Sequence, residues 1–253
     1  MPPKPLPPLP EAPSIFGWQH LVYLAVYIVL TVGALVFIAL KVKKEKTIEI
    51  IIKVTGGVLL ASIIWNRITL IEFYNSVWGL IPNTVCGTTS LIFGISALFL
   101  KRDHIVFHFC VYTAFWGGIV ATVYPTFIGQ AHYFLYQPTI SGMIHHGISV
   151  FLSVLMVMKG FVTPSLKKFY AFPLGYCFLL VYGIFLLDFS NGNITEAMYI
   201  FAPLIPGTFL TWYVVDPFLI LGNLGLLALW QKVIKPRLDE KKSKKEQKIT
   251  PTV

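Results

Sequence analysis

Long apolar stretches recur along the chain, and they restrict its possible folds more than any other feature. Between residues 18 and 231 the sequence repeatedly contains apolar runs of about 18 residues or more, the length that an α-helix needs to cross a bilayer. Charged residues make up only 12% of the 253 residues, about half the usual fraction of a soluble domain. The sequence therefore predicts an all-α, polytopic membrane protein that forms one helical bundle.

The apolar runs separate into seven predicted transmembrane helices. Their predicted ranges are 18–40, 48–73, 83–100, 104–124, 139–158, 169–188 and 208–231. Three parts of the chain follow from this division: a proline-rich arm at 1–17, a transmembrane domain at 18–231, and a basic tail at 232–253.

The distribution of lysine and arginine predicts how the bundle is oriented. Basic residues occur in the first-to-second, third-to-fourth and fifth-to-sixth connections and in the tail, whereas the other three connections contain none. The positive-inside rule then predicts an N-terminus outside and a C-terminus in the cytosol. The formal net charge of +9 is thereby explained by topology, so no nucleic acid partner is expected. Plasma membrane and endoplasmic reticulum both fit this pattern.

Several ionisable or nucleophilic side chains lie inside the predicted spans, where they are costly and usually functional. Cys86, His146 and Asp216 lie on three helices of the same direction, at depths of roughly 5–12 Å below the outer boundary. Arg67 and Glu72 of the second helix rise toward the same level. The sequence thus predicts one polar layer in the outer half of the bundle.

Stripes of small and hydroxyl residues indicate which helix faces are turned away from lipid. One stripe on the third helix contains Cys86, Ser90 and Gly94, and one on the fifth contains Thr139, Gly142, His146, Ser149 and Ser153. Because neighbouring helical residues are rotated by about 100°, His145 is expected to point away from the second stripe. His146 is therefore the preferred functional histidine.

The polar layer suggests nucleophilic chemistry. Pro82 is predicted in the first turn of the third helix, which places Cys86 near a helix N-terminus, where the partial positive charge favours a thiolate. A histidine at matching depth could take the thiol proton, and Asp216 or Glu72 could orient the imidazole. The structural alternative is that Cys86 is a small apolar residue and the histidines join helices by hydrogen bonds.

The cysteine spacing indicates no zinc site, and neither metal nor cofactor is expected.

Four short motifs, in order, resemble one known family. I-P-N-T-V-C, ending at Cys86, resembles an L-P-x-H-x-C signature, and the run at 112–125 resembles an F-W-G helix that ends in proline. M-I-H-H-G-I-S-V-F at 143–151 resembles an S-H-G helix, and T-W-Y at 211–213 is similar too. Over about residues 50–231 the chain resembles the YwaF-like integral membrane proteins, which include the transmembrane protein 164 family.

The resemblance implies a polytopic helical bundle and an activity. The vertebrate branch of the family is an acyltransferase that moves a polyunsaturated chain between phospholipids to make ether phospholipids. It uses a cysteine and a histidine at the positions of Cys86 and His146. Phospholipid and lyso-phospholipid are the implied partners. Thr84 stands where the signature has a histidine, so a different substrate or a weaker catalyst stays open.

Two hypotheses follow. In the first, the protein is a transacylase in which Cys86 carries the acyl chain as a thioester, His146 acts as base and then acid, and Asp216 orients the histidine. The expected substrate contacts are Arg67, Glu72, Ser90, Thr139, Trp116 and His145. In the second, the protein is a non-catalytic transporter or small-molecule-binding bundle, with Arg67, Glu72 and Asp216 as ligand contacts. A histidine-based metal hydrolase ranks last, because the histidines lie at differing depths.

Overall fold

A computed structural model describes residues 16–125, 135–201, 209, 211–234, 236–237 and 240. Within these ranges the regular structure is entirely helical, so the predicted all-α bundle is confirmed. The seven α-helices are α1 (Trp18–Lys41), α2 (Glu45–Tyr74), α3 (Val85–Phe99), α4 (Ile105–Val123), α5 (Gln137–Met158), α6 (Ala171–Phe189) and α7 (Trp212–Leu229). The predicted arm and tail lie largely outside the described residues.

Six of the seven helices are long and apolar enough to span a bilayer, and α3 is the shorter one. Its 15 residues cover about 22 Å, less than the roughly 30 Å of a bilayer's hydrocarbon core. A short 3₁₀ helix at Val77–Leu80 precedes it. The difference from the predicted 83–100 arises because Thr84 caps the helix and Pro82 precedes the cap. Pro82 is therefore not in the first turn, as the sequence had suggested.

The centre of the bundle is formed by α2, α3, α4 and α5, while α6 packs on α4 and α1 contacts mainly α5. Glycines allow close approach at two of these contacts. A Cβ on Gly56 of α2 would lie 2.5 Å from Ala97 Cβ of α3, and a Cβ on Gly118 of α4 would lie 2.5 Å from Val150 Cγ2 of α5. Small residues thus bring these backbones together, as is usual in membrane bundles.

At one end of the bundle, polar contacts join three connections. The side chain of Arg102 donates to Glu45 at 3.0 Å and to the Gly160 carbonyl at 2.9 Å, while Lys159 Nζ donates to the Val42 carbonyl at 2.8 Å. These bonds link the α1–α2, α3–α4 and α5–α6 connections, which are the ones that carry basic residues.

Asp103 is the centre of a second set of contacts at this end. Its carboxylate accepts from the Thr163 N–H at 3.0 Å, from His108 Nε2 at 2.9 Å and from Lys168 Nζ. Burial acts to raise the pKa of Asp103, but hydrogen bonds from Lys168, Thr163 and His108 more than offset it, so the pKa lies below its ordinary value.

Candidate functional site

A cavity of about 200 Å³ lies at the opposite end of the bundle from these contacts. It is enclosed by the C-terminal part of α2, the N-terminal ends of α3 and α7, the second half of α4, the first half of α5, and α6. The connection between α6 and α7 contributes as well. Its polar lining consists of Asn66, Arg67, Tyr74, Asn83, Thr84, Cys86, Thr113, Trp116, His145, His146, Tyr176, Tyr199 and Asp216. The polar groups of six helices thus meet in one space.

Cys86 reaches the cavity from the first turn of α3. Thr84 caps this helix, and its Oγ1 accepts the N–H of Gly87 at 3.2 Å. Cys86 is a free thiol, so it is available for chemistry. A Cβ on Gly117 of α4 would lie 2.8 Å from Cys86 Sγ, so the thiol occupies space that the glycine leaves open.

Two adjacent histidines of α5 line the same cavity. His145 is 3% exposed and His146 is 7% exposed, and their ring centroids are 4.1 Å apart. The expectation that His145 points away therefore fails, because the two rings lean toward each other and both reach the cavity. His145 Nδ1 bonds to the Ser141 carbonyl at 3.2 Å. His145 Nε2 is buried and has no hydrogen-bond partner among the residues that the structure describes.

Arg67 supplies a cation to the cavity. Its Nη2 donates to Asn66 Oδ1 at 2.9 Å, and Asn66 Nδ2 in turn donates to Ser141 Oγ at 3.0 Å, which joins α2 to the start of α5. Arg67 Nε is buried without a partner, and none of the ion pairs among the described residues involves this side chain. The guanidinium therefore faces the cavity without a carboxylate to neutralise it.

Helix α7 forms the most loosely packed wall of the cavity. Asp216 lines it immediately before Pro217, and within the described residues its carboxylate is not bound to any side chain or N–H group. Trp116 Nε1 of α4 donates to Asn223 Oδ1 of α7 at 3.0 Å, which fixes this helix beside the site. Tyr176 of α6 lines the cavity together with Asp216 and Cys86, so the acid, the thiol and one phenol share this space.

The connection after α6 covers the N-terminal end of α3. Met198 and Tyr199 line the cavity and both have a positive φ, 53° and 58°, a conformation that costs energy for such side chains. The Met198 N–H donates to the Asn83 carbonyl at 2.8 Å, and Asn83 Nδ2 donates to the Glu196 carbonyl at 3.2 Å. No periodic pattern marks these residues in the sequence, so sequence reasoning missed them.

The structure brings together six of the nine predicted site residues and leaves three outside the cavity. Cys86, His146, Asp216, Arg67, Trp116 and His145 line it. Glu72 is exposed, Thr139 is fully buried, and Ser90 bonds to Ser149 Oγ at 3.0 Å, joining the two predicted stripes. Among the described residues, no three metal-ligating side chains are grouped.

Long apolar helices around a buried polar cavity define a multi-pass integral membrane protein. Over residues 15–233 the chain matches the TMEM164 family, and it belongs to that family. The family resemblance drawn from the sequence motifs is thereby confirmed. Comparisons with curated proteins and with solved structures gave no match.

Proposed function

We propose that the protein is a lipid acyltransferase that moves a fatty acyl chain between phospholipids through a thioester on Cys86. The observation that carries the proposal is the shared cavity. A free thiol at a helix N-terminus and two buried imidazoles line one cavity inside the bundle. A nucleophile beside a base is the basic requirement for covalent acyl transfer.

In the first half of the reaction, His146 takes the proton of Cys86, and the sulfur attacks the ester carbonyl of a donor phospholipid. The C–S bond forms, the ester C–O bond breaks, and His146 returns the proton to the leaving lyso-phospholipid oxygen. The positive end of α3 stabilises negative charge at the sulfur. Asp216 is proposed to orient the catalytic imidazole. A site that admits little water would favour transfer to lipid over hydrolysis.

The cavity also offers contacts for both parts of a phospholipid. Arg67 lines the cavity and forms no ion pair with the carboxylates of the described residues, which suits the phosphate of a head group. Val120, Leu219 and Met198 supply apolar lining for an acyl chain. Trp116 is fixed by its bond to Asn223 and contributes a rigid aromatic wall.

One observation favours the second candidate function, a non-catalytic bundle that binds an anionic small molecule. Within the described residues the buried Nε of Arg67 has no hydrogen-bond partner, and such a cationic donor favours an anionic acceptor whether or not a reactive thiol is present. Two results together would support this candidate. The Cys86→Ala variant would still bind the anionic ligand, and the wild-type protein would form no acylated species.

The deciding experiment uses the full chain in lipid nanodiscs with a phospholipid that bears an alkyne-tagged acyl chain. We expect a hydroxylamine-sensitive acyl label on the wild-type protein, and loss of that label in Cys86→Ala. The matched control is Cys110→Ala, since Cys110 is a buried thiol outside the cavity; this variant should label like wild type. Equal labelling of wild type and Cys86→Ala would refute the proposal.

A further inference from the structure

His145 is set up differently from its neighbour, and its hydrogen bond fixes which ring nitrogen carries the proton. A carbonyl oxygen only accepts hydrogen bonds, so Nδ1 is the donor in its 3.2 Å contact with the Ser141 carbonyl. In the neutral ring, Nε2 then presents a lone pair. No hydrogen bond within the described part of the chain holds the His146 ring in the same way, so His145 is the imidazole with the preset orientation.

The lone pair of His145 Nε2 is buried, and no group in the described part of the chain binds to it. The residue is 3% exposed, it lines the cavity with Cys86, and among the described residues none forms a hydrogen bond with Nε2. A buried acceptor without a partner is destabilising, and such groups are rare unless a ligand completes them. An O–H group that enters the cavity is the complementary donor.

We infer that His145 is a second catalytic residue, the base that receives the hydroxyl proton of the acyl acceptor while His146 serves the thiol. The inference rests on the proposed acyl transfer. The acceptor oxygen attacks the thioester carbonyl, a C–O bond forms, and the C–S bond breaks. The hydroxyl proton goes to His145 Nε2, and the electron pair of the C–S bond stays on sulfur. The proton then passes from His145 to the Cys86 thiolate, which restores the free enzyme.

The groups around His145 are suited to an acyl acceptor that carries an anionic group close to its hydroxyl. Arg67 lines the same cavity, and its Asn66 neighbour bonds to Ser141, the residue whose carbonyl holds His145. The Arg67 cation and the His145 base are thus linked through the hydrogen bonds of Asn66 and Ser141. A lyso-phospholipid, with its phosphate near a free hydroxyl, can satisfy both groups at once.

The test separates the two half-reactions in single-turnover experiments on the full chain in nanodiscs. Acylation is followed as hydroxylamine-sensitive label on Cys86, and transfer is followed after a lyso-phospholipid chase. His145→Asn keeps an N–H donor near the position of Nδ1 but removes the Nε2 base. We expect acylation within about threefold of wild type and transfer slowed by about 10²–10⁴-fold, the range of general-base catalysis.

His20→Asn is the matched control. His20 is also a buried histidine bonded to a backbone carbonyl, that of Thr122 at 2.9 Å, but it lies outside the cavity. This variant should leave the ratio of the two rates unchanged. If His145→Asn is not recovered as folded protein, His145→Gln is measured instead, because its amide approaches the Nε2 position but cannot take up a proton.

Each outcome decides between two claims. Wild-type protein that forms no thioester would refute the proposed function, and this inference with it. A thioester that forms in wild type, combined with equal slowing of both steps in His145→Asn, would show a structural role and overturn the inference alone. Unchanged transfer in His145→Asn would overturn it as well.

Discussion

The space around the Cys86 thiol is set by Gly117 of α4, which lies opposite it. Gly117 has no side chain, and a Cβ at this position would lie 2.8 Å from Cys86 Sγ. That distance is too short for a carbon and a sulfur atom. The sulfur is the free end of a short side chain, so it can turn aside without moving either helix. A methyl group at this position therefore acts on the chemistry rather than on the fold.

We predict that Gly117→Ala slows acylation of Cys86 at least tenfold and changes the thermal unfolding midpoint little. Incorporation of the acyl label measures the rate of acylation, and thermal unfolding in detergent measures the midpoint. Gly222→Ala is the control, because no neighbouring atom lies within 4 Å of a Cβ at that helical position. It should acylate normally. Normal acylation of Gly117→Ala would mean that the thiol does not need the space beside residue 117.

Thr84, which stands at the histidine position of the family signature, has a structural role in this chain. Its Oγ1 caps α3 by accepting the Gly87 N–H. Thr84→Ala removes the cap and should lower stability by about 0.5–2 kcal/mol, whereas Thr84→Ser should stay near wild type. Denaturant unfolding in mixed micelles measures both variants. Equal stability of the two would assign the capping of α3 to other groups.

The sequence predicted some site residues well and others poorly, for physical reasons. Depth along helices of the same direction predicted that Cys86, His146 and Asp216 lie together, because rise per residue is nearly constant. Helical phase misplaced His145, since phase gives the direction of Cα–Cβ and not the side-chain torsions. Tyr199 lies in an irregular connection, where no periodicity exists to indicate contacts.

At the scale of elements, the helices were predictable and their exact packing was not. Apolar length located all seven helices, α3 included, to within a few residues, and the Thr84 cap explains why α3 starts later than predicted. Which glycines lie at contacts could not be read from the sequence. Gly56 and Gly57 are adjacent on α2, yet only the first is pressed against α3.

This pair of glycines gives a matched test of helix packing. A Cβ on Gly56 would lie 2.5 Å from Ala97 Cβ and 3.2 Å from the Gly94 carbonyl, which are rigid atoms, whereas a Cβ on Gly57 would lie 3.8 Å from Leu98 Cδ2. We expect Gly56→Ala to destabilise the protein by about 1–3 kcal/mol. Gly57→Ala should be neutral or stabilising by about 0.5–1 kcal/mol. Thermal unfolding of both variants would contradict this packing if Gly57→Ala were the less stable.

At the scale of the whole molecule, Asp103 joins the α3–α4 and α5–α6 connections. Its pKa is below the ordinary value because Lys168, Thr163 and His108 stabilise the carboxylate against the opposing effect of burial. A depressed folded-state pKa contributes stability above the unfolded-state pKa, near 3.8, and that contribution is lost as the pH falls below it. We therefore expect wild type to lose stability from about pH 4 downward more steeply than Asp103→Asn. Parallel pH profiles of the unfolding midpoint would refute this role.

The two ends of the bundle differ in a way that predicts its orientation. The α1–α2, α3–α4 and α5–α6 connections contain basic residues, and their side chains are tied together at one end. The cavity and the connection after α6 lie at the other end, where the connections carry no lysine or arginine. The positive-inside rule predicts that the first end is cytosolic, and the cavity is then expected at the exterior or lumenal end.

Single-cysteine reporters in sealed vesicles of known orientation test this arrangement. Lys43 and Thr195 are exposed residues at opposite ends, so Lys43→Cys and Thr195→Cys are made in a variant without the three native cysteines. A membrane-impermeant maleimide should modify Lys43→Cys only from the cytosolic side and Thr195→Cys only from the other side. The reverse pattern would place the acyl-transfer site in the cytosolic leaflet. The donor and acceptor lipids would then be drawn from that leaflet, because a cavity at one end of the bundle takes its lipids from the adjacent monolayer.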